Sequence, residues 1–295
     1  MIVRSIIALL LLLPGLVLGQ GDPLVEAYQH YRAGEIEKAR TLADRAVTTL
    51  AHVENAEAWL LRGFIYKDLY KAKQPAAEAE ADRKEAIASL YKSITLDEEG
   101  QYRENATQAY DYMCRSYYND VARALSEMDA EKAQEFFALY EGSVKQLDPS
   151  AQLQPREIEF RNALGTVYTK RFNNDRTRVD HFDAAVAAYQ RALELDPGNY
   201  GANYNLATLY YNRGVYNIQR ISAEDDIPGI QRIQEVSREF FQQALPYMLK
   251  AHDMNPTRRE TLLGLEGIYY SLQDHESSDK FRLLFEELPP QDNDR

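Results

Sequence analysis

Five histidines, one cysteine and two adjacent aspartates are the side chains of this chain best suited to metal or covalent chemistry, and their spacing limits what they can do. His30, His52, His181, His252 and His275 are scattered, and no two stand one helical turn apart as a zinc-binding pair on one helix face requires. Glu26 and His30 do stand at i, i+4, which reads as a surface hydrogen bond. Asp225 and Asp226 precede Pro228-Gly229 without the alternating oxygen ligands of a calcium loop, so they read as a solvated turn. Cys114 lies beside Arg115, but neighbouring residues leave a helix on different faces, so the thiol is expected to pack as a small apolar group. Neither a glycine-rich phosphate loop nor a G-x-S-x-G elbow occurs. Asn105-Ala106-Thr107 fits a glycosylation acceptor, a pattern common by chance. The expectation is a non-enzyme with no catalytic residue, no metal and no cofactor.

The elements that would position any site follow from composition. The 295 residues hold 34 Lys and Arg against 46 Asp and Glu, a net charge of −12 that argues against nucleic-acid binding. With 45% hydrophobic residues, 21 of the chain's residues being tyrosine, there is material for a large core. One cysteine permits no intramolecular disulfide. At the N-terminus Arg4 precedes an apolar run from Ile6 to Leu13, then Pro14-Gly15 and Leu16-Val17-Leu18-Gly19. This order reads as a signal peptide over residues 1–19, cleaved before Gln20 or else after Gly21. The run is too short for a membrane span, which needs about 20 apolar residues. No cysteine stands at the cleavage site, so the expectation is an exported protein, periplasmic or secreted, soluble, not a lipoprotein and not inserted in a membrane after cleavage.

Comparing the chain with itself gives the strongest signal. The segment 184–197, AAVAAYQRALELDP, places Ala185, Tyr189 and Ala192 on one helix face and ends at Asp196-Pro197, where proline stops the helix. The same construction returns with Ala244, Met248, Ala251 and Pro256, and with Ala86, Leu90 and Ser93, where Glu98 takes the place of proline. A looser copy ends at Asp148-Pro149, and Ala39, Ala43 and Ala46 form a first copy. Upstream of these copies a large residue, a small one and an aromatic recur: Trp59, Gly63, Tyr66; Tyr110, Cys114, Tyr117; Arg161, Gly165, Tyr168; Asn203, Ala207, Tyr210.

These two patterns resemble the tetratricopeptide repeat, W-x2-L-G-x2-Y followed by A-x3-F and P. The resemblance implies an all-α solenoid of about six antiparallel helical hairpins, near residues 22–51, 55–98, 102–149, 156–197, 200–256 and 257–288, within one repeat domain spanning 20–288. Small anchors at Ala27, Gly63, Cys114, Gly165, Ala207 and Gly267 stand 36, 51, 51, 42 and 60 residues apart, against about 34 in the repeat, so helices or turns must be lengthened. The fifth hairpin is read as two long helices, Tyr200–Ser222 and Gly229–Met254, around an acidic turn, with Pro246 kinking the second. From Tyr200 to Leu288 the chain also looks like exported Gram-negative repeat proteins with an enlarged penultimate repeat. The tail 289–295 reads as disordered.

The resemblance further implies a concave groove lined by the first helix of each hairpin. Carried onto this chain, its lining positions are Leu24, Tyr28, Tyr31; Leu60, Phe64, Lys67; Asp111, Arg115, Tyr118; Asn162, Thr166, Thr169; and Tyr204, Thr208, Tyr211. The lysine, asparagine and arginine cluster that clamps a carboxylate in some family members is missing. Tyr28, Tyr31, Phe64, Lys67, Arg115, Tyr118, Asn162, Tyr204 and Tyr211 remain as the partner-binding candidates, suited to a peptide or protein. The leading expectation is a non-enzymatic interaction scaffold of the cell envelope. The alternative is a structural subunit that self-associates or docks through the enlarged fifth hairpin, and a small-ligand binder or enzyme stands behind both.

Overall fold

The structure, a computed structural model, describes residues 21–74 and 78–289. The signal-peptide reading and residues 290–295 of the tail therefore lie outside the described residues. Among those residues twelve α-helices and no strand occur. Contacts divide the chain into two compact units, the first ending at Ser116 and the second starting at Tyr117, each described by itself below.

In the first unit α1 (Pro23–Arg32) pairs with α2 (Ile36–Ala46), and α3 (Ala56–Lys73) with α4 (Ala79–Leu96). Side-chain oxygens of Asp22 and Asn55 accept the first free amides of α1 and α3, as helix starts require. Gly63 lets α3 close on α4, since a Cβ there would lie 2.6 Å from Leu90. Ser93 donates to the Ala56 carbonyl at 2.8 Å across the same pair. Arg62 reaches from α3 to Asp44 of α2 and to Ser89 and Glu85 of α4, tying the two hairpins together. Where the sequence has Glu98 instead of proline, α4 ends by another device: the Asp97 carboxylate accepts the amides of Gln101 and Tyr102, and Gly100 takes φ +75°. Helix α5 (Arg103–Ser126) runs from this unit into the next.

In the second unit come α6 (Ala130–Leu147), α7 (Gln154–Asn174) with α8 (Val179–Leu195), α9 (Tyr200–Gln219) with α10 (Ile227–Met254), and α11 (Arg259–Ser271) with α12 (His275–Glu286). The long anchor steps are taken up by helix, not by loops: α10 alone has 28 residues and continues through Pro246. It begins at Ile227 rather than Gly229, because the Asp226 carboxylate caps it by accepting the Gly229 amide and Pro228 fits its first turn. The Phe182 ring meets Phe172, Tyr210 and Phe240 edge to face in the core between the α7–α8 and α9–α10 hairpins.

The anchor Gly267 lies against the preceding hairpin. A Cβ there would meet the Tyr211 hydroxyl of α9 at 2.7 Å, while Gly264 lies against Met248 of α10, so the terminal hairpin uses both glycines to approach the preceding one. Glu26 does not hold His30; His30 bonds Glu35 at 2.6 Å, and Glu26 lies 3.6 Å from Arg45. Pro289, read as the start of the tail, is tied down through its carbonyl, which accepts from Arg259 at 2.6 Å.

Candidate interaction surfaces

The chemistry-bearing residues of the sequence sort first. Cys114 is buried and free, and burial, with the nearby Asp111 charge, pushes its thiol up to about 12, far from a reactive thiolate. Asp225 accepts the Ser222 amide at 2.7 Å, and with Asp226 it shapes the turn before α10. No group of three metal-ligating side chains forms among the described residues, and no described helix is long and apolar enough to cross a membrane.

Of the groove candidates in the first unit, Tyr31 donates to Asp68 at 2.6 Å, joining α1 to α3. Burial and that carboxylate hold its phenol well above the ordinary range. Lys67 lies 4.4 Å over the Phe64 ring, and burial lowers its ammonium pKa. Tyr28 carries the Arg32 guanidinium 5.2 Å from its ring centre, and Arg115 is exposed on α5. The four side chains from α1 and α3 are half-buried, and of the contacts named here that of Tyr31 crosses between the two helices.

In the second unit the candidates do more structural duty than the sequence suggested. Tyr118 donates to Glu159 at 2.9 Å and packs on Tyr140, and burial first, then Glu159, pushes its pKa to about 12. Asn162 donates to the Asn199 side chain at 3.0 Å, the same oxygen that caps α9. Tyr204 stacks on Tyr200 with ring centres 6.0 Å apart, and Tyr200 in turn bonds Thr261 at 2.8 Å. Tyr211 fills the space left by Gly267 and tilts against Phe241. Together these side chains bridge successive hairpins, and aromatics at helical spacing cannot be told from such packing by pattern alone.

An open cleft in this unit lies elsewhere. Helices α9 and α10 run on past the short α11 and α12, of 13 and 12 residues, so their ends overhang the α11–α12 turn. Beneath the overhang is an open cleft of about 880 Å³ whose apolar lining comes from Val215, Ile218, Phe241, Tyr270 and Leu272. Gln219, Gln234, Glu235, Arg238, Ser271, Gln273 and His275 add polar and charged groups, and Tyr270 is 66% exposed. Unequal helix lengths were the sequence signal for it, but which residues line it depends on how far each helix runs.

Residues 180–217, from α8 into α9, match the family model of the tetratricopeptide repeat. A search of curated proteins finds no match. Among solved structures, the human IFIT1 dimer bound to m7Gppp-AAAA is similar over 91% of this chain at 13% identity and a TM-score of 0.39, and this chain spans 50% of that one. PilW, described as a widely conserved type IV pilus biogenesis factor, is similar over 92% of this chain and 94% of its own, at 16% identity and a TM-score of 0.33.

Proposed function

We propose that this chain, a tetratricopeptide-repeat protein, is a non-enzymatic docking module whose partner protein seats an amphipathic helix in the cleft under the α9–α10 overhang. One observation supports this reading above others: a mixed cleft of about 880 Å³, with Val215, Ile218, Phe241, Tyr270 and Leu272 among polar and charged side chains, stays uncovered at the place where the repeat lengths change most. Apolar side chains such as Ile218 and Tyr270 would cover the helix's apolar face, while the glutamine amides at the rim bond its polar edge. The aromatic groove candidates are the second reading, favoured by the stacked Tyr200 and Tyr204 pair. The proposed place of action is outside the cytoplasm, periplasmic or secreted, on the leader-like order of residues 4–19.

A photo-crosslinking amino acid placed at Tyr270, in the protein expressed in its own cells, tests the cleft. The expected result is a discrete crosslinked product that disappears when Ile218→Asp is added. Crosslinks from Tyr28 or Tyr204 but none from Tyr270 would move the docking site to the groove. A crosslinked product of twice the chain mass would assign the cleft to self-association.

A further inference from the structure

The α9–α10 tip has a second face, turned away from the cleft, and its chemistry is different. Three guanidiniums surround the Tyr216 ring: Arg176 at 5.5 Å, Arg213 at 6.0 Å and Arg220 at 5.7 Å from its centre. Arg176 and Arg213 also lie over Phe172, at 4.9 and 5.4 Å. Stacking fixes the flat faces of these groups and leaves their N–H edges for an acceptor. Few acceptors are supplied. Arg213 makes one long bond, 3.5 Å, to the Arg176 carbonyl, and the Arg176 Nη1 is buried with no partner. Neighbouring arginines behave otherwise: Arg171 holds Glu131, Arg178 holds Asp180 and Arg191 holds Glu157. Arg213, Arg220 and Arg232 instead line an open recess of about 410 Å³ together with Asn217 and the apolar Ile233 and Val236.

We propose that this arginine face of the α9–α10 tip receives an acidic segment of a partner protein, Asp or Glu residues alternating with apolar ones. Carboxylates of the segment meet the free edges of Arg213, Arg220 and Arg232, and its apolar residues cover Ile233 and Val236, which is 40% exposed. In a chain of net charge −12 an unpaired basic patch is a local exception, felt over about a Debye length of 10 Å at ordinary salt. A short acidic segment stays within that range. A long nucleic acid extends past it into the repulsive field of the rest of the chain, and its backbone has no use for the two apolar residues. The inference rests on the reading of the chain as an interaction module but uses a face separate from the cleft, so either can fail alone.

The test is fluorescence anisotropy of the full chain with a labelled peptide alternating Glu and Leu, beside the same peptide with Gln for Glu and a labelled oligouridylate. The expected result is saturable, salt-sensitive binding of the Glu peptide that weakens about tenfold in the double variant Arg220→Gln, Arg232→Gln. Both side chains are exposed, and unchanged circular dichroism would show the fold intact. Asp225→Asn, which removes a carboxylate lining the recess, should tighten the same binding several-fold. Failure of the Glu peptide to bind, equal binding of the Gln peptide, undiminished binding by the double variant, or a preference for the oligouridylate would each overturn the proposal.

Discussion

The α7–α8 and α9–α10 hairpins close in the same way and end in different ways. In both, a glycine of the first helix lies against an aromatic ring of the second: a Cβ on Gly165 would stand 2.6 Å from Tyr189, and one on Gly214 would stand 2.5 Å from Phe241. The first hairpin then stops within about one turn of its core, and its basic side chains Arg171 and Arg191 are bonded to carboxylates. The second continues past its core, α9 for about one and a half turns beyond Gly214 and α10 for about three turns ahead of Ser237, exposing Ile218, Ile227 and Val236. The difference separates two demands on the sequence. Glycine and aromatic spacing sets how a hairpin closes, and length beyond that closure serves whatever the overhang meets.

The largest expected effect tests the shared half of this comparison. Gly165→Leu and Gly214→Leu should each destabilise by on the order of 1–3 kcal/mol, since the rings of Tyr189 and Phe241 cannot retreat inside a close-packed core. Urea unfolding checks both. An unchanged midpoint for Gly214→Leu alone would mean that the long hairpin closes differently from its neighbour.

Much of that closure was legible because it is local in sequence: Gly165 and Tyr189 belong to one repeat, and the same kind of contact recurs within another at Gly63 and Leu90. The terminal hairpin was less legible. Gly267 fits the anchor spacing, but its contact is Tyr211, 56 positions earlier, and nothing near it in the sequence reports that. Ion pairs were illegible on similar grounds. Arg171 finds Glu131 across 40 residues, and His30 prefers Glu35 to the helical neighbour Glu26 because the chain turns back between α1 and α2. The arginine cluster around Tyr216 draws on two hairpins, so it exists only once they pack.

Next in size comes the contrast between paired and unpaired arginines. Arg171→Gln removes bonds to the Met128 carbonyl and to Glu131, and should cost about 1 kcal/mol, the partial exposure of Glu131 reducing the charged pair's worth. Arg220→Gln should change stability by about 0.5 kcal/mol or less, the worth of an exposed guanidinium near the Tyr216 ring. Equal losses would show that the arginine face supports the fold.

A smaller effect, visible chiefly at high pH, separates Tyr189 from Phe241. The Tyr189 hydroxyl meets Thr166 at 3.2 Å and Thr169 at 3.5 Å, and burial raises its pKa above the ordinary 10.0. Above pH 10.0 the unfolded chain therefore loses this proton before the folded one does, and stability falls as pH rises. Tyr189→Phe should cost about 1 kcal/mol or less at neutral pH for the lost bonds and make the alkaline decline shallower. Chemical unfolding at neutral and alkaline pH reads both. An unaltered slope would mean that other tyrosines, Tyr66 and Tyr118 among them, carry the whole dependence.

The smallest expected effect on the fold comes from removing the overhang. Residues 218–234 contribute nothing fully buried, and the core members of α10 begin at Ser237 and Phe241. Joining Asn217 to Glu235 through a short glycine-containing turn of the kind that links α1 to α2 should therefore leave the remaining helices packed, with helical circular dichroism reduced only by the excised share. The melting midpoint should stay within about 2–4 °C, the shift expected for roughly 1 kcal/mol in a unit of this size. Docking should respond differently, because Ile218 of the cleft and Arg220 and Arg232 of the arginine face all go with the tip. Retained fold with lost docking would show that closure and overhang are separable. Collapse of the helical signal far beyond the excised share would instead make the overhang part of the hairpin's closure, and the two hairpins would then differ in how they fold as well as in what they present.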